Sequence, residues 1–130
     1  MPKVYLTKEF EFEAAHHLIN YDGLCANVHG HSYKLQVTVS GNVNIFDTKY
    51  ATDCMVLDFK ELKDIVKSEI IDSHDHADLN CIYSNPTAEI MVIGMYDRIK
   101  YNLPKDVKLE SVKLWETSTS FAEYRGECDE

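Results

Sequence analysis

His29-Gly30-His31-Ser32-Tyr33-Lys34-Leu35-Gln36-Val37-Thr38-Val39-Ser40 alternates without a break. His29, His31, Tyr33, Leu35, Val37 and Val39 share one face, and Gly30, Ser32, Lys34, Gln36, Thr38 and Ser40 share the other. A period of two is the pattern of a half-buried strand, one face toward a core and one toward water. The stretch upstream repeats it. Val4, Leu6, Phe10, Phe12 and Ala14 fall on even positions, Tyr5, Thr7, Glu9, Glu11 and Glu13 on odd ones, and His16 continues the apolar side. Between the two strands, Asp22-Gly23 marks a turn in a loop from about 17 to 28.

Downstream, residues 41–54 are polar and rich in turn formers, and Met55-Val56-Leu57 reads as a short apolar strand. Asp58 can cap a helix whose stripe is Phe59, Leu62, Ile65, Val66 and Ile70, ending near Ser73. Residues 74–85 read as irregular. Asn85-Pro86 reads as an N-cap followed by proline at the first helical position, with Ala88, Met91, Val92, Met95 and Ile99 as the inner stripe and Asn102 and Pro104 as the stop. Residues 107–116 read as a strand, 117–120 as a turn and 121–125 as a last short strand. Two strands, two helices and two strands predict an α+β fold, a four-stranded antiparallel sheet with two helices on one face. Such a sheet has two open edges, which an oligomer can pair.

With 130 residues, 45% of them hydrophobic, the chain has the size of one domain, spanning 1–130, and can bury a core without disulfides. Thirteen basic against 22 acidic residues give a net charge of −9, which argues against nucleic acid as a partner but not against a small anionic substrate in a locally positive pocket. No apolar run approaches the roughly 20 residues of a membrane span, and the opening Met1-Pro2-Lys3-Val4 is not a leader segment, so the expectation is a cytoplasmic protein with no membrane partner. The cysteines, Cys25, Cys54, Cys81 and Cys128, form no C-x-x-C pair and are read as reduced thiols.

Chemistry concentrates at a few positions. His29 and His31 point to one face of their strand, and His16 ends the apolar face of the strand before it. If the strands are neighbours, three imidazoles converge and leave a fourth position open, the arrangement of a catalytic zinc site. A chance H-x-H with hydrogen-bonded histidines is the plainer alternative, and imidazoles also accept iron, nickel or copper. His17 competes with His16, although alternation points it the other way; His74 and His76 form a second pair in an irregular stretch. Cys25, four residues before His29, is either a thiol activated by a nearby dication or a fourth ligand closing a structural site. Asp75 can orient His76. Glu116 shares a strand face with Val112 and Leu114, where a carboxylate is costly unless paired, so a ligand rich in N–H donors or a solvent-exposed strand end would account for it.

Six segments together resemble the 6-pyruvoyl tetrahydropterin synthase family: Phe12-Glu13-Ala14-Ala15-His16, the run from Cys25 through His29-Gly30-His31 to Tyr33, Leu57-Asp58-Phe59, Asp75-His76-Ala77-Asp78-Leu79-Asn80, Asn85-Pro86-Thr87-Ala88-Glu89, and Glu116-Thr117. They occur in the family's order from about residue 5 to 126. The three residues separating Cys25 from His29 resemble the bacterial branch that makes 6-carboxy-5,6,7,8-tetrahydropterin for queuosine; the animal 6-pyruvoyl branch has a longer insertion there. The resemblance implies a tunnelling fold, trimers closing a twelve-strand β-barrel, a hexamer of two stacked trimers, and active sites at subunit interfaces. It implies Zn2+ held by His16, His29 and His31, Cys25 as general base, His76 oriented by Asp75 as proton shuttle, and Glu116 as anchor of the pterin ring and a member of the proton relay. The implied reaction converts 7,8-dihydroneopterin triphosphate to 6-carboxytetrahydropterin, acetaldehyde and triphosphate. The alternatives are a 6-pyruvoyl product on the same residues or a non-catalytic zinc- or pterin-binding protein. The second histidine often found after D-H in the bacterial branch is Ala77 in this chain, which leaves His76 at that step with His74 as a substitute.

Overall fold

Both alternating runs form long strands because each can bury one face. In the computed structural model, which describes residues 1–129, β1 (Lys3–His16) and β2 (His29–Asn42) pair antiparallel along their whole length, from Lys3 opposite Asn42 to His16 opposite His29. The last position of the expected 1–130 domain, Glu130, lies outside the described residues. The chain then runs through α1 (Phe59–Val66), a wide turn of helix (Lys67–Ile71), α2 (Asp72–His74), β3 (Ala77–Asp78), α3 (Ala88–Asn102), β4 (Lys108–Thr117) and β5 (Ser120–Tyr124). Strand order across the sheet is β3-β1-β2-β4-β5. The α+β class and the helices against one sheet face are as expected.

Three expectations need correction. The sheet has five strands and is mixed, because β3 runs parallel to β1 with Ala14 opposite Ala77. Two residues carry no periodicity, so nothing in the stretch 74–85 announces them. They are held by the backbone of Glu13, whose N–H donates to Asp75 Oδ1 (3.0 Å) and whose carbonyl accepts from the His76 N–H. Secondly, Met55-Val56-Leu57 is not a strand. Both edges of β2 are already taken by β1 and β4, so an apolar segment passing the sheet packs by side chains instead. Thirdly, α3 begins at Ala88, with Thr87 as its N-cap: its hydroxyl accepts from the Ile90 N–H at 3.2 Å. Pro86 therefore precedes the cap. Asp58 caps α1 as read, accepting from the Lys60 N–H at 2.9 Å.

The core lies between the sheet and the helices. Leu35, Val37 and Leu114 from the sheet meet Leu62 and Ile70 from the first helical run and Met91, Met95 and Ile99 from α3, all fully buried. Each such side chain contributes about 1.5–3 kcal/mol, so the sheet face that ends in His16, His29 and His31 rests on a rigid floor. Among the described residues, no helix is long and apolar enough to cross a membrane.

Candidate metal centre and active site

The register of β1 and β2 assembles the histidines. His16 sits directly opposite His29, and His31, two residues along the same face, sits opposite Ala14. Ring centroids are 4.6 Å (His16–His29), 4.8 Å (His29–His31) and 5.0 Å (His16–His31) apart. Among the described residues, these three form a group whose ligand atoms all lie within 4.8 Å of one another.

Their hydrogen bonds fix what the ring nitrogens can do. His16 Nδ1 lies 2.8 Å from the Pro86 carbonyl, and His29 Nδ1 lies 2.8 Å from the Asn27 carbonyl. A carbonyl only accepts, so each Nδ1 carries the proton and each Nε2 presents a lone pair. Those two Nε2 atoms are 3.0 Å apart. Two lone pairs facing each other repel unless a cation lies between them. His31 Nε2 is also buried and has no hydrogen-bond partner. Zinc–nitrogen bonds of about 2.0–2.1 Å in a tetrahedron place ligand nitrogens about 3.3 Å apart. The donor set, its tautomers and the orphaned nitrogen thus fit a small dication. Burial, the largest influence, depresses the His31 pKa; Glu116 opposes that, and His16 and His29 add to it. A neutral imidazole is the form a metal needs.

Tyr33 floors the cluster. Its hydroxyl is 3.4 Å from His16 Nδ1, and its ring stacks on Phe12 at 5.0 Å. Burial, reinforced by Glu116, holds its phenol far above the ordinary range. Glu116, on β4 beside buried Val112 and Leu114, brings Oε1 to 3.3 Å from His31 Nε2, outside hydrogen-bonding geometry. The carboxylate borders an open cavity of about 590 Å³ whose wall includes Glu89, Thr117 and Phe121. It therefore faces a space large enough for a ligand, while its side chain stays partly open to solvent at the strand end.

The remaining expected residues divide into two sets. Asp75 Oδ2 lies 3.1 Å from His76 Nδ1, so these neighbours do touch. The Glu13 N–H, first, and then His76 hold the Asp75 carboxyl below its ordinary pKa. His76 has a left-handed backbone (φ 62°) and an exposed ring, and it shares a cavity of about 370 Å³ with His31. Cys25 lies in a short 3-10 turn, half-buried, its carbonyl accepting from the Leu18 N–H at 2.8 Å; its sulfur does not join the histidine group. His17 and His74 stand apart from the histidine group. The His17 backbone is clamped by Asn80, which accepts from its N–H (2.9 Å) and donates to its carbonyl (3.0 Å). His74 is fully buried, with Nδ1 2.7 Å from the Ile70 carbonyl and Nε2 2.7 Å from the Tyr83 hydroxyl. Reading residue types missed the two carbonyls that set the tautomers, Pro86 and Asn27, and the clamp by Asn80. Backbone acceptors leave no trace in residue type, although Pro86 and Asn80 fall inside segments that carry the resemblance.

A sheet backed by helices, with three convergent histidines at its end and a carboxylate beside them, defines a candidate metal-dependent enzyme site on a tunnelling fold. The family model for 6-pyruvoyl tetrahydropterin synthase matches residues 5–127, and the chain belongs to that family. It is 38% identical to a 6-carboxy-5,6,7,8-tetrahydropterin synthase of Haemophilus influenzae, over 92% of this chain and 97% of that one. It is also 38% identical to a dihydroneopterin monophosphate aldolase of Pyrococcus furiosus, over 68% and 70% of the two chains. The 6-pyruvoyl tetrahydropterin synthase structure from Caenorhabditis elegans superposes with a TM-score of 0.81 at 28% identity, covering 98% of both chains.

Proposed function

We infer that this chain is a zinc-dependent 6-carboxy-5,6,7,8-tetrahydropterin synthase, a carbon–carbon lyase of 7-deazaguanine (queuosine) biosynthesis. Its substrate is 7,8-dihydroneopterin triphosphate, converted with uptake of water to 6-carboxytetrahydropterin, acetaldehyde and triphosphate. The observation that carries this reading is the convergence of His16, His29 and His31 with the Glu116 carboxylate 3.3 Å from His31. That pairs a metal site with an acceptor for the N–H groups of a pterin ring. The family membership and the relatives named for this activity support it.

His16, His29 and His31 would hold Zn2+, which when bound polarises oxygens of the substrate side chain. Glu116 accepts two parallel N–H bonds from the pterin and thereby fixes the ring. Cys25 takes a proton from the substrate side chain, and His76, oriented by Asp75, relays protons at its exposed ring. The outer edge of β5 and the part of the β1 edge that β3 leaves unpaired are the surfaces through which three copies would close a barrel, and two such barrels would stack to a hexamer.

The test is to incubate zinc-loaded protein with 7,8-dihydroneopterin triphosphate and identify products by mass spectrometry. Carboxytetrahydropterin with acetaldehyde supports the assignment. The C. elegans neighbour favours one second reading, a 6-pyruvoyl product, which the same assay would reveal. No product from zinc-loaded protein would overturn both.

A further inference from the structure

We propose that this site recognises its substrate through the dihydropterin ring and three-carbon side chain and not through the phosphate chain, so that a monophosphate ester binds about as well as a triphosphate. The inference rests on the dihydropterin reading above and narrows its substrate class.

The observation is where the cations are. All 13 lysines and arginines fall outside residues 9–33, 74–97 and 114–124, the three segments that supply every residue of the candidate site. The cavity shared by His31 and His76 is walled by Glu13, the neighbouring one beside Tyr33 by Glu11 and Glu13, and the one bordered by Glu116 by Glu89 and Glu123. Lys34 borders one of them, but its ammonium already lies 3.1 Å from Glu9 and 4.6 Å from the Trp115 ring centre. A terminal phosphate carries about −1.5 to −2 at pH 7, so each added phosphate meets a like-charged wall on a chain of net charge −9.

The cations along the sheet edges are themselves engaged within the chain. Lys3 lies 3.4 Å from Glu110, and Arg125 lies 3.1 Å from Glu123. Lys8 and Lys113 sit over the rings of Phe10 and Phe121. These four cations already face carboxylates or aromatic rings of their own chain. One relative carries a monophosphate in its name, as expected if the shared architecture does not demand a triphosphate.

The experiment measures equilibrium binding of 7,8-dihydroneopterin, its monophosphate and its triphosphate to the zinc-loaded Cys25→Ser protein. Absence of turnover by this variant is confirmed by product analysis, and zinc content is checked after each titration. Two ionic strengths, about 0.01 and 0.15 M, shorten the Debye length from about 30 to 8 Å. The expected result is mono- and triphosphate affinities within about threefold at low salt, with triphosphate binding tightening as salt screens the repulsion. Inorganic triphosphate alone would fail to displace either ester. Triphosphate binding more than about tenfold tighter and weakening with salt would overturn the proposal, because cations must then reach the site from another copy. If none of the three pterins binds, the dihydropterin reading itself falls, and the inference falls with it.

Discussion

Two Nε2 atoms 3.0 Å apart, each with its Nδ1 tied to a backbone carbonyl, leave neutral His16 and His29 with lone pairs facing each other, relieved only by an added proton or a metal cation between them. The strain is removed by a cation, so His29→Ala should lose zinc during chelator challenge, whereas Cys25→Ala, whose sulfur stands outside the group, should keep it; metal analysis of the two dialysed proteins reads the difference. Zinc loss from both variants would make Cys25 a ligand and sink its assignment as a base. The three histidines were legible because alternation along a strand dictates which side chains share a face. The same rule favoured His16 over His17, which stands outside the group. His74 was not decidable that way, and its burial gives it a different part. Burial lowers its pKa below the ordinary histidine value, while an unfolded chain titrates near 6.5. As pH falls below about 6.5 the unfolded state takes up a proton that the folded state refuses, so stability is full above that pH and declines below it. Urea midpoints at pH 7.5 and 5.5 should therefore fall more steeply in wild type than in His74→Gln. Equal declines would assign the acid sensitivity to the other histidines.

At the level of elements, the histidine cluster and the start of α3 are one construction. The Pro86 carbonyl that fixes the His16 tautomer is followed at once by Thr87, whose hydroxyl caps the helix. Loss of an N-cap hydroxyl costs about 1 kcal/mol, and disturbing an outer partner of a ligating histidine lowers metal affinity about 10–100-fold. Thr87→Ala should thus show both effects: a lower urea midpoint in the metal-free protein and weaker zinc binding by competition with a chelator. A stability loss with unchanged zinc affinity would mean that Pro86 keeps its place without the cap. The helices themselves were legible from their apolar stripes: Leu62, Val66 and Ile70 in one and Met91, Val92, Met95 and Ile99 in the other are buried, Ile65 and Ala88 are half-buried, and Phe59, expected in the first stripe, is exposed at the helix start. The true start of α3 was not, because Asn85-Pro86 and Thr87 offer competing caps two residues apart, and only tertiary contact of Pro86 with His16 selects between them. The same holds for β3: Asp75 and His76 are pinned to Glu13 by contacts 62 residues apart in sequence, which no local pattern encodes.

For the whole molecule, the question left by the fold is what covers its edges. The outer side of β1 is paired only at Ala14 and Ala15, by β3, and β5 has β4 on one side alone. Open edges template association, and a long strand such as β1 exposes more of them than a monomer usually tolerates. Because β1 and β2 run antiparallel, as do β2 and β4 and β4 and β5, β5 of one copy and β1 of another can continue the same antiparallel alternation without reversal. Along β1, neighbouring residues direct their N–H groups to opposite sides, one toward β2 and the next toward the open edge. Proline removes that donor. Of the pair Lys8→Pro and Glu9→Pro, one variant therefore deletes a bond to β2 and should lose stability, and the other deletes only an edge donor. The edge variant should fold, keep its His16–His29–His31 cluster and run as a smaller species by light scattering, and, if the site is shared between copies as proposed, lose product formation in the pterin assay as well. If both variants lose stability while neither changes mass, β1's edge is not an assembly surface and the site must be complete within one chain.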